Sequence, residues 1–165
     1  AGGSGRDMFD LETWEMLSYV VTVIGLPMAI VVFIYEQRKG RENEEDEVYQ
    51  LLSDSYDKFL RVALDNPDLR LFSQEKGAEL SPDQRERMLI IFDMLISLFE
   101  RAYLLLYDDT MDEKQSRRWR SWEDYMGDWC RRDDFRTELP GLLQGEDPEF
   151  SDYIKGLAER TAAGA

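Results

Sequence analysis

The stretch LSYVVTVIGLPMAIVVFIY, residues 17–35, runs nineteen residues without a charged side chain. As a helix rising 1.5 Å per residue it would span about 30 Å, the hydrocarbon thickness of a bilayer. Trp14, Tyr19 and Tyr35 stand near its ends, where amphipathic rings settle at a lipid–water boundary. The pattern predicts a transmembrane helix over 14–36. A cleaved signal peptide would carry a basic leader, a shorter apolar core and a small-residue cleavage site, and this stretch has none of them. A buried core helix is the plain alternative for any apolar run, but this one is apolar nearly all round and flanked by charge, which favours the membrane.

The flanks orient the predicted span. Arg38, Lys39 and Arg41 follow it, while Asp10, Glu12 and Glu15 precede it. Basic flanks stay in the cytosol, so the expected topology is N-terminus out and C-terminal part in, in the cytoplasmic (inner) membrane. The expected organisation follows: residues 1–7 a non-native glycine/serine-rich linker ahead of a natural start at Met8, 8–13 a short extracytoplasmic segment, 37–47 a charged juxtamembrane segment, 48–160 a cytosolic helical domain, and 161–165 a tail. The expected partners are the lipid bilayer and further copies of the chain.

One side of the predicted span differs from the rest. Glu15, Ser18, Thr22, Gly25, Ala29, Val32 and Glu36 recur at intervals of three and four, which places them on one helix face. Gly25 and Ala29 form a small-xxx-small pair that lets two backbones approach closely, so the seam is read as a helix-packing surface in a homo-oligomer. In a dimer it would close into a dry interface. In a larger ring it would line a pore, with Glu15 and Glu36 at the two mouths. Pro27 lacks the amide proton and should kink the helix and free the Val23 carbonyl, a feature common enough in membranes to need no gating role.

Beyond Gly40, a candidate bend, Glu42, Glu44, Glu45, Asp46 and Glu47 form an acidic cluster. Glu15, Glu36, Glu44, Glu45 and Glu47 are candidates for attracting cations. Helical spacing then resumes at Val48, Leu51, Leu52, Tyr56, Phe59, Leu60 and Ala63 and ends at Asn66-Pro67, since the residue before proline avoids the helix. Residues 65–81 read as a loop anchored by Leu69, Leu71 and Phe72. Ser81-Pro82-Asp83-Gln84 carries the signature of a capped helix start, and the helix is expected to run to about residue 107. Asp93, Glu100 and Arg101 argue against a second span, because each charge costs about 2.5–3.5 kcal/mol in lipid.

A third helix is expected from Asp109 or Asp112, with Trp119, Trp122, Met126 and Trp129 on its core side rather than as a ligand cage. Lys114, Arg117, Arg118, Arg120, Arg131 and Arg132 read as surface ion-pair residues, with anionic headgroups as the functional alternative. A helical turn before Pro140 and a last helix capped by Asp147 with Pro148 at its first position complete the chain. No strand pattern appears, and the expected class is all-α: one N-terminal transmembrane helix followed by a cytosolic bundle of about four helices.

The chain is 43% hydrophobic and 33% charged, which fits segregated apolar and solvated segments. A net charge of −15 repels phosphates and argues against nucleic-acid binding. The absence of histidine removes the usual near-neutral base and a common metal ligand. The lone cysteine, Cys130, reads as a reduced side chain. Glycine-rich phosphate loops, nucleophile elbows and Cys/His metal spacings do not occur. Asp108, Asp109, Asp112 and Glu113 lack the glycine turn and terminal glutamate of a calcium loop and read as an interhelical connection. No cofactor, metal or catalytic residue is expected.

The predicted span with Arg38-Lys39, residues 56–64 leading into Asn66-Pro67-Asp68-Leu69-Arg70-Leu71-Phe72, and Leu98-Phe99-Glu100-Arg101-Ala102-Tyr103 together carry a resemblance. Over most of residues 8–153 the layout resembles bacterial single-span membrane proteins with a helical cytosolic domain of the domain-of-unknown-function type. That resemblance implies no catalytic residue. Two functions compete on the sequence: a membrane-anchored scaffold or sensor, and a cation-selective channel formed by a homo-oligomeric ring with acidic mouths.

Overall fold

The structure, a computed structural model, describes residues 6–73 and 79–163; within the first helix it describes the side chains of 14, 16, 19, 25–41 and 43 onward. Five α-helices follow one another: α1 (Arg6–Asp65), α2 (Pro82–Leu106), α3 (Glu113–Cys130), α4 (Asp133–Leu142) and α5 (Pro148–Ala163), with a 3₁₀ turn at Pro67–Leu69. The described residues contain no strand, so the fold is all-α. The chain divides into two compact units, Ala1–Glu47 and Val48–Ala165. The first takes α1 as far as residue 47, and the second takes residues 48–65 of α1 with the other four helices.

In the first unit α1 runs through Pro27 without a break in helix. It also runs through Gly40, where an added Cβ would meet nothing within 4 Å, so packing does not demand glycine there. Among the described residues no helix is long and apolar enough to cross a membrane. The uninterrupted apolar stretch with described side chains is 25–35, about 16 Å of helix and half of a hydrocarbon core. Residues 15, 17, 18 and 20–24 of the predicted span have side chains outside the described residues.

The second unit owes its core to α2. Met88, Ile91, Phe92, Leu95, Ile96, Phe99, Ala102 and Tyr103 recur at helical spacing and are buried, which gives α2 an apolar face wide enough to take neighbours on several sides. Trp119, Trp122, Met126 and Trp129 of α3 and Phe150, Ile154 and Leu157 of α5 close onto the same core. From α1, Leu52, Phe59 and Ala63 are buried, and the Tyr56 ring stacks on Tyr125 at 4.6 Å.

Polar side chains define the helix starts. Ser81 and Gln84 form a reciprocal capping box with Pro82 at the first position, and Asp112 and Gln115 form a second. Each cap is worth about 1 kcal/mol. Asp147 Oδ1 accepts the Phe150 N–H at 3.0 Å and starts α5. The sequence predicts that α4 stops before Pro140, but the helix continues through it to Leu142. Pro140 stands in the last turn, so it deletes one intrahelical bond, and the Leu143 N–H still reaches Leu139 O at 3.1 Å. The expected loop anchors also separate: Leu69 and Leu71 are buried, whereas Phe72 is 60% exposed with its ring edge-on to Trp129 at 5.3 Å.

Candidate functional site

The most distinctive surface lies on the first unit. Leu26, Met28, Ile30, Val31, Val32, Phe33 and Ile34 are between 44% and 65% exposed. Near-consecutive residues on a 3.6-residue helix point all round it, so this surface has no polar side to leave in water. Covering these seven side chains with apolar medium would gain on the order of 7–10 kcal/mol. Trp14, Tyr19 and Tyr35 are also exposed.

Of the predicted seam, Gly25, Ala29, Val32 and Glu36 are exposed along α1. Glu15, Ser18 and Thr22 belong to the same helix, but their side chains lie outside the described residues. Glu36, Glu44 and Glu47 are exposed and Glu45 is half-buried. Among the described residues no group of three or more Asp, Glu, Cys or His is arranged to hold a metal ion.

The second unit carries two polar constellations that sequence reasoning missed. The first centres on Arg132, whose side chain is 18% exposed. Its guanidinium donates to Leu71 O at 2.5 Å and Arg70 O at 3.2 Å, and to both carboxylate oxygens of Asp134 at 2.6 and 3.0 Å. It also lies over the rings of Trp129 and Phe92. Arg70 has φ of +48°, a left-handed conformation that costs a side-chain-bearing residue about 1–2 kcal/mol, and Arg132 holds its carbonyl. From the other side Arg87 donates to Asn66 Oδ1 at 2.7 Å and Asp68 Oδ2 at 2.7 Å, and the bonds that Asp68 accepts from Arg87 and Gln84 hold its carboxyl below its usual range. Arg132 is therefore a fastener of the 66–73 loop rather than a surface ion-pair residue. Its neighbour Arg131 does pair at the surface, with Asp128.

The second constellation joins α2 to the turn before α5. The Asp147 N–H donates to Glu100 Oε1 at 2.5 Å. The adjacent Glu146 carboxyl is hydrogen-bonded to that of Glu100, and this bond, then partial burial, then the charges of Glu100 and Asp93, push it up to about 7 against a smaller opposing effect of the Ser97 hydroxyl. Asp93 and Glu100 are two of the three α2 charges that the sequence set against a second span. Nothing in the sequence pointed to Glu146, a partner brought up by chain reversal at Gly145, where φ is +96°.

The remaining candidates are occupied locally. Asp108 Oδ1 accepts the Thr110 N–H and hydroxyl, both at 2.6 Å. Asp109 accepts from the Tyr107 hydroxyl at 3.2 Å, and Asp112 caps α3. Cys130 is buried, and burial pushes its thiol up to about 12, which suppresses the nucleophilic thiolate. Among the described residues no buried side-chain polar atom lacks a hydrogen-bond partner. No family model, no curated protein and no solved structure matches this chain.

Proposed function

We propose that the chain is a single-pass protein of the cytoplasmic membrane, N-terminus outside, anchored through residues 14–36 and assembled as a homo-oligomer along the Gly25–Ala29–Val32 side of α1. Its helical unit then acts on the cytosolic face as an assembly or partner-binding module, a scaffold or sensor. One observation carries this reading: the all-round exposed apolar surface of residues 26–35, followed directly by Arg38, Lys39 and Arg41. A surface of that kind needs lipid or another chain to cover it, and the basic flank favours the cytosolic side. No catalytic role is assigned.

The test is alkaline extraction of membranes from expressing cells, followed by stoichiometry of the purified chain in nanodiscs. The expected result is retention in the membrane and more than one copy per disc. A Val31→Asp/Phe33→Asp variant should move to the soluble fraction. A parent chain that stays soluble and monodisperse without detergent would overturn the reading.

A cation-conducting ring is the second reading, favoured by the exposed carboxylates of Glu36, Glu44 and Glu47 beside the apolar segment. A pore built from one helix per chain needs about four or more copies. A monomer or dimer in nanodiscs excludes it. In a larger ring, cation flux into liposomes should fall in Glu15→Gln/Glu36→Gln, and unchanged flux would count against the pore.

A further inference from the structure

One side of α2 stays uncovered in the folded unit. Ile90, Met94, Leu104 and Leu105 are 56%, 45%, 56% and 50% exposed, and Arg101 is exposed among them. Positions 90, 94, 97, 101 and 104 repeat at intervals of four and three, so they share one helix side, opposite the buried Leu95, Phe99 and Ala102. From residue 90 to 105 that side is about 22 Å long. Large apolar side chains gathered along one seam mark a contact surface, whereas singly scattered ones do not.

Charge identifies the occupant. Among the described residues neither Arg101 nor Asp93 forms an ion pair. The two stand four residues on either side of Ser97, a small residue at the middle of the seam. Laid antiparallel on itself about Ser97, the seam sets Arg101 of each copy against Asp93 of the other and Ile90 against Leu104, a self-complementary pattern of the kind a two-fold contact requires. A parallel pairing would instead stack Arg101 on Arg101. Copies with a net charge of −15 repel each other, so they meet best where a cation of one finds an acid of the other. An anionic lipid surface fits less well, because Glu86 and Asp93 are exposed on the same side.

We propose that the outer side of α2 is the contact surface for a second copy of this chain, the two α2 helices lying antiparallel across a two-fold axis at Ser97. Each interface then holds two Arg101–Asp93 pairs flanking the axis and two Ile90–Leu104 contacts outside them. Met94 of one copy lies beside the aliphatic stem of Arg101 of the other, so the arginine covers apolar surface while its head meets the carboxylate. The contact belongs to the helical unit, is distinct from the α1 seam, and stands whether or not residues 14–36 lie in a membrane.

The experiment is disulfide trapping in the full chain, in detergent and in nanodiscs, under mild copper-catalysed oxidation, with helical content checked by circular dichroism. The parent, whose Cys130 is buried, should remain uncrosslinked. Ser97→Cys should give a covalent dimer, because a residue on the axis meets its own copy. Ile90→Cys alone should not, since about 21 Å of helix would separate the two thiols, but mixed with Leu104→Cys it should crosslink. Adding Arg101→Asp to Ser97→Cys should cut the dimer yield about fivefold or more by setting acid against acid, and further adding Asp93→Arg should restore it to within about twofold of the Ser97→Cys level. No dimer from folded Ser97→Cys, self-crosslinking of Ile90→Cys as strong as that of Ser97→Cys, or a charge swap that fails to restore the yield would each overturn the interface. Several copies per nanodisc without the Ser97→Cys dimer would overturn it and leave the α1 assembly standing, whereas the dimer in a chain that is soluble without detergent would support it and overturn the membrane reading.

Discussion

Replacing Arg132 with methionine removes the guanidinium and keeps an unbranched side chain of similar reach over Trp129 and Phe92. The backbone carbonyls of Arg70 and Leu71 lose their charged donor, and Asp134 loses its two-pronged partner. A hydrogen bond to a charged group is worth about 1.5–3 kcal/mol. Asp134 is 39% exposed, so water recovers most of its share. The carbonyl contacts and about 0.5–1 kcal/mol of cation–aromatic attraction then set the loss, giving about 2–4 kcal/mol in all. Urea unfolding in a mild detergent, followed by tryptophan fluorescence, measures it, and Trp129 reports from beside the lesion. Arg132→Lys separates charge from geometry. An ammonium cannot reach both carbonyls and fork onto Asp134, so it should recover less than half of the loss. The reasoning is refuted if Arg132→Met stays within about 0.5 kcal/mol of the parent, the range of ordinary surface changes, or if Arg132→Lys is as stable as the parent.

Phe92→Ala, at a site with no solvent exposure, should cost about 3–5 kcal/mol in the same assay. Tyr153→Phe deletes the 2.6 Å hydrogen bond to Glu123 and should cost about 1 kcal/mol, whereas a neutral result would mean that water replaces the bond. Glu146 is raised from 4.5 to about 7 in the folded chain, so folding takes up a proton between those values. Its contribution is complete below 4.5 and is lost as pH rises through 7. Because the group is largely solvated, the decline should be about 1 kcal/mol rather than the full value of the shift, and it should vanish in Glu146→Gln. Cys130, buried with its thiol at about 12, should resist iodoacetamide at pH 8 until urea opens the fold, and rapid labelling of the native chain would contradict its placement.

The features that were legible in the sequence are local ones. Ser81-Pro82 with Gln84 and Asp147-Pro148 announced their helix starts because a cap is satisfied within three residues. The apolar spacing of α2 and the tryptophan stripe of α3 announced buried faces because periodicity alone decides them. Pro140 misled, since proline breaks a helix only where enough helix follows to be lost. Arg132 and Glu146 were opaque for a different reason. Their partners, Arg70, Leu71 and Glu100, stand more than forty residues away in sequence, and only the fold chooses among the many acids and carbonyls available. The α1 seam was drawn from spacing. The structure leaves its Gly25, Ala29, Val32 and Glu36 exposed along α1.

A chain without histidine is spectroscopically quiet near neutrality. Against that background a carboxyl held up to about 7 stands alone among the described side chains moved into that range. Its carbonyl stretch has an infrared frequency that ionised carboxylates do not share. Protonation of Glu146 can therefore be followed as one band, without an attached probe, in the intact protein.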